Sequence, residues 1–155
     1  MKPIMIKTLF AALAAAAIII PAQAEPIRES EHKTMHSLGC MLLGECTDGV
    51  DEVFSLLDVS SQYDNTEEFT PVSNEFNNML VSLNQVGVKV FLADEKYFPS
   101  GHRGVYHTVS NNFFLNKNFM GKPGTLMMVM RHEGWHAAQD CMAGTIDNSL
   151  IAIIK

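Results

Sequence analysis

The stretch from Thr125 to Ala143, TLMMVMRHEGWHAAQDCMA, sets how the rest of the chain is read. It holds no proline, and Gly144 follows it as a stop, so it predicts one continuous helix. His132 and His136 stand four residues apart, which puts both imidazoles on one helix face, where they can reach a single ion. Glu133 follows the first histidine and points about 100° further around the helix. There a carboxylate can accept a proton from an activated water and later deliver it to a leaving amine. His132 and His136 are therefore the candidate metal ligands, zinc the expected cofactor, and Glu133 the candidate catalytic base. Other ions that histidine accepts stay open.

The wheel of this helix carries more. Thr125, Val129, His132, His136, Gln139 and Ala143 fall in one stripe. Asp140 and Gln139 are candidates to hold the second ring nitrogens of the histidines, because ligating imidazoles commonly donate that N–H to a carboxylate or carbonyl. Met127, Ala138 and Cys141 form an apolar side that predicts a buried helix back. Gly134 inside a helix costs roughly 1 kcal/mol against alanine, and suggests a close neighbour.

Ahead of this helix the texture is that of strands. Val88 to Leu92 alternates with β-branched residues, and Gly104 to Val109 and Asn111 to Asn116 read likewise. Asp94 to Arg103, with Pro99 and Gly101, is a loop. Earlier still, Pro71 opens a helix with Phe76, Leu80, Leu83 and Val86 on one stripe and Gly87 at its end. Residues 37–58 suggest two short helices broken near Cys46 to Gly49, with Thr47 or Asp48 capping the second. Residues 59–70 read as a loop, residues 25–36 as a loose polar N-terminus, and a further short helix is expected after Asp147. The fold class is α+β: N-terminal helices, a small sheet, then the histidine-bearing helix.

The chain has 155 residues, enough for one domain, and its 47% apolar content allows a core. Lys2 and Lys7, the apolar run Leu9 to Ile20, and the A-x-A pattern ending at Ala24 read as a signal peptide over residues 1–24. The single domain then spans 25–155, exported to the periplasm or the outside. The apolar run is short for crossing roughly 30 Å of hydrocarbon, which argues against an uncleaved membrane anchor, and with no second long apolar stretch no membrane span is expected in the mature chain. Cleavage removes two lysines and no acid, leaving 9 basic against 17 acidic residues. That balance, with no basic run, argues against a nucleic-acid partner. Cys40 and Cys46 could pair if the chain bends between them, but not if they share one continuous helix. Cys141 is left over.

The run HEGWHAAQD resembles the zincin metallopeptidases, and most nearly the HExxHxxxD form of the thermolysin-like gluzincins. The likeness covers residues 88–143 at best, and only the HExxH core is specific. It implies a zincin-like domain, zinc held by His132 and His136, Glu133 as general base, and a peptide or protein substrate. It also implies an edge strand that pairs with an extended substrate, for which Asn112 to Asn116 is the natural counterpart. Metzincins need a glycine and a third histidine where this chain has Gln139 and Met142, so that class is excluded. The downstream glutamate of gluzincins is absent from the 19 residues after His136. Asp147, within Gly144-Thr145-Ile146-Asp147, is the candidate third ligand, by likeness to the aspzincin GTxD motif, and Asp140 a weaker one. The apolar ending Leu150 to Lys155 leads to the expectation that the chain is truncated at its C-terminus. The alternative is a binding or regulatory protein on a zincin scaffold with an incomplete metal site. His102 and His107 either stabilise an oxyanion or are locally bonded histidines with no role in the site.

Overall fold

The computed structural model describes residues 29–143 and 151–154. The signal-peptide reading and Asp147 lie outside the described residues. Among the described residues, four α-helices and a mixed sheet follow one another in the order α1 (Glu29–Leu42), β1 (Val50–Glu52), α2 (Leu56–Ser60), α3 (Ser73–Gln85), β2 (Lys89–Ala93), β3 (Gly104–His107), β4 (Asn112–Asn116), α4 (Pro123–Ala143) and β5 (Ile151–Ile154). The α+β class expected from the sequence is the one observed.

The sheet runs in the order β1-β2-β4-β3-β5. β2 and β4 are parallel, with Phe91 opposite Phe114, and the other pairings are antiparallel. β4 is thus an interior strand. The run Phe113-Phe114-Leu115 is apolar on both faces, as a strand covered on both sides must be. Successive side chains alternate across the pleat. Phe113 and Leu115, with Val90, Leu92 and Tyr106, pack against the side bearing α2, α3 and α4. Phe114, Ala93 and Val105 pack on the other side against Leu38, Met41 and Leu42 of α1 and against Tyr97 and Phe98. The result is three layers with a core on each face of the sheet.

Several local expectations are corrected. Part of the polar stretch 25–36 is helix, because α1 starts at Glu29 and presents Leu38, Met41 and Leu42 as one buried stripe. Residues 50–58 do not form the predicted single helix. Val50 to Glu52 pair with β2, and only Leu56–Ser60 are helical. The cap is Ser55 rather than Thr47 or Asp48: the Asp58 carboxylate accepts from the Phe54 and Ser55 N–H groups at 2.7 and 3.0 Å. Pro71 sits inside a 3-10 turn, Thr66–Val72, ahead of α3. Ile151–Ile154 is a strand beside β3, where a helix was expected after Asp147. Cys40, near the end of α1, is disulfide-bonded to Cys46 beyond it. The chain leaves the helix at Leu42 and bends between them, the condition the spacing required.

Candidate metal site

α4 is a 21-residue helix laid across the sheet, in contact with β3, β5 and α3. Its buried residues are Leu126, Met127, Val129, Met130, Glu133 and Ala137. All but Met127 are spaced by three, four and seven, and Glu133 lies inside the stripe they define. This corrects the predicted orientation. Met127 is buried as expected, but Ala138 and Cys141 are exposed. Ala138 and Cys141 share a side of the wheel with the buried Met127 and Met130, but they lie in the last two turns, where with Met79, Leu83 and Val86 of α3 they line an open apolar groove.

His132 is exposed and His136 half-buried, and they project from the flank of this stripe. Their Nε2 atoms are 3.1 Å apart and the rings meet edge to face. Two nitrogens bound at about 2.0–2.1 Å to one tetrahedral ion stand about 3.3–3.4 Å apart. The pair therefore fits an ion with little adjustment. Desolvation first, and the neighbouring His136 second, hold the His132 imidazole below its ordinary pKa. That favours the neutral ring a metal needs.

Glu133 has no exposed surface, and neither of its carboxylate oxygens has a hydrogen-bond partner. Burial pushes its pKa up to about 8. Burial thus favours the neutral carboxyl near pH 7, although the sequence places it beside the candidate ligands His132 and His136. A buried polar group without a partner costs about 1–3 kcal/mol.

Asp140 does not hold a histidine. Its Oδ2 accepts from the Tyr106 hydroxyl at 2.9 Å, tying the end of α4 to β3. The Asn111 side-chain amide faces only acceptors, so its nitrogen is turned toward them, donating to Asp140 Oδ2 and the Thr108 carbonyl, each at 3.2 Å. Burial, and then this bond to Asp140, push the Tyr106 phenol well above its usual range. His107 Nδ1 lies 2.7 Å from Ser110 Oγ, and His102 Nδ1 lies 3.1 Å from the Pro99 and Ser100 carbonyls. Both have local hydrogen-bond partners, as in the plainer of the two readings above. Among the described residues, no three His, Cys, Asp or Glu side chains converge to hold an ion. Asn112–Asn116, the expected substrate-pairing strand, is enclosed between β2 and β3 and has no free edge.

Leu126, Val129, Met130 and Ala137 stand at i−7, i−4, i−3 and i+4 of Glu133, a signal for its burial that the apolar Met127, Ala138 and Cys141 side obscured. The Tyr106–Asp140–Asn111 link had no such signal, because it joins segments 34 residues apart. Comparison with protein families, with curated proteins and with solved structures finds no match to this chain.

Proposed function

We propose that the protein is an exported zinc-dependent metallopeptidase whose metal is held by His132 and His136, with Glu133 as the acid–base group. The observation that carries this reading is the convergence of the two imidazole nitrogens to 3.1 Å beside a buried carboxyl with no partner. The i,i+4 spacing brings the two rings together, and their Nε2 separation is close to what one shared ion requires. A structural glutamate is not kept in a core unpaired. When bound, zinc would polarise a peptide carbonyl and activate a water for attack on it. The histidines bind and orient, and Glu133 takes and returns the proton. A cation on the adjacent face would favour the ionised carboxylate, which burial alone disfavours. Asp147 remains the proposed third ligand. The disulfide between Cys40 and Cys46 supports an oxidising, exported setting.

The test is metal content and hydrolysis together. The full chain should carry one zinc and cut an unfolded protein substrate in a chelator-sensitive way. Glu133→Gln should keep the zinc and lose the cutting. A wild-type protein purified under zinc that holds none would end the proposal.

A second reading, a non-catalytic binding protein with an incomplete metal site, is favoured by one feature. The histidine pair is joined by no third His, Cys, Asp or Glu among the described residues. It predicts zinc uptake and partner capture with no hydrolysis, and chelator-sensitive cleavage would rule it out.

A further inference from the structure

We propose that Met128 supplies a third, thioether donor to the His132–His136 pair and so enables the site to take copper(I) in addition to zinc. The inference rests on the pair being a metal site, and not on peptide hydrolysis.

Met128, His132 and His136 are spaced four and four. On an α-helix that spacing steps about 40° around the axis and rises about 6 Å each time. The three side chains therefore form one oblique row along the exposed flank of α4. Long helical side chains at i and i+4 meet over the intervening turn. Methionine ordinarily fills cores, and the flanking Met127 and Met130 do so, at 1% and 0% exposed. Met128 is 41% exposed, on the row where the histidines emerge.

The other donors nearby are accounted for. Asp140 is bonded to Tyr106 and Glu133 faces the core. Cys141 lies nine residues past His132, on the opposite side of the helix. Arg131, the nearest cation to Met128 in sequence, is clamped by Glu75 through bonds of 2.7 and 2.8 Å, which offsets its charge. Gln139, three residues after His136, offers a hard amide oxygen. Two imidazoles and a thioether are neutral, soft-to-borderline donors. Such a set suits a soft monovalent ion, because it brings no anionic ligand to balance a second positive charge. Zinc favours imidazole, thiolate and carboxylate, and has less use for the thioether.

The experiment is a competition titration of the full chain with copper(I), held reduced by ascorbate against a chromogenic chelator, and a parallel titration with zinc. Wild type, Met128→Leu, Gln139→Leu and His132→Ala are compared, each also in a Cys141→Ser background to remove the exposed thiol. Met128→Leu should weaken copper(I) binding by roughly tenfold or more, and zinc by clearly less. X-ray absorption of the copper(I)-loaded Cys141→Ser protein should show a sulfur neighbour that Met128→Leu removes. Copper(I) affinity indifferent to Met128, or lost instead with Gln139, overturns the inference while leaving a zinc site standing. Loss of neither ion in His132→Ala overturns both this inference and the metal reading of the pair. Zinc bound without any hydrolysis sinks the peptidase reading alone.

Discussion

Glu133 is the residue on which sequence and packing make opposite demands. Its place next to His132 calls for an ionised base, while its place among Leu126, Val129, Met130 and Ala137 calls for a neutral group. The consequence is a pH dependence with a defined sign. The folded pKa of about 8 lies above the ordinary carboxyl value of 4.5, so between these values the native state holds a proton that the unfolded chain releases. The favourable state is fully present below about pH 4.5, and its contribution is lost as pH rises toward 8. Metal-free Glu133→Gln should therefore gain stability over wild type as pH rises through this window, by an amount on the order of a few kcal/mol. Thermal unfolding of both proteins from pH 5 to 8 measures it. Parallel curves would mean that the carboxyl reaches water. The histidines make the opposite case. His132 is exposed, so His132→Ala should change metal-free stability by no more than about 0.5 kcal/mol, as denaturant melts would show.

At the scale of elements, the β1 segment is held in the sheet by a turn that only glycine fits. Gly49 has a φ of +71°, and its carbonyl accepts from the Asp94 N–H at 2.9 Å. A Cβ there would collide with the Asp94 carboxylate, and the left-handed backbone would add strain. Gly49→Ala should cost about 1–3 kcal/mol and loosen β1 from β2. Faster amide exchange over residues 50–52 would register it, and unchanged exchange would contradict it. β2 and the stripe of α3 were legible from their periods of two and about four, and β3 and β4 from short runs rich in aromatic and β-branched residues. β1 was not, since three residues carry too short a pattern, and the ladder with Phe91, Leu92 and Ala93 makes it a strand. α1 was started late because its first turns are polar, and its apolar stripe gathers in the later part.

Across the whole molecule, the sheet order decides which surfaces remain for function. β4 lies between β2 and β3, and its residues Phe113 to Asn116 are all buried, so the edges of the sheet are β1 and β5. Exchange should accordingly be slowest in β4 and fastest in the edge strands. A protection map in which residues 112–116 exchange as quickly as 50–52 would contradict this topology. No helix among the described residues is long and apolar enough to cross a membrane.

The sequence by itself determined the class of fold, the helix that carries the histidines, and the meeting of His132 with His136. Those are consequences of local periodicity, which a helix or strand expresses wherever it lies. The tertiary structure alone decided which way α4 is rolled, and with it that Glu133 enters the core; it also decided that Ala138 and Cys141, in the last two turns, stay exposed and that Asp140 bonds Tyr106 rather than a histidine. It also decided that Asn112 to Asn116 has no free edge. The physical reason is that a wheel ranks the faces of a helix only by composition. The sheet chooses among them by volume and shape, through contacts between segments far apart in the chain.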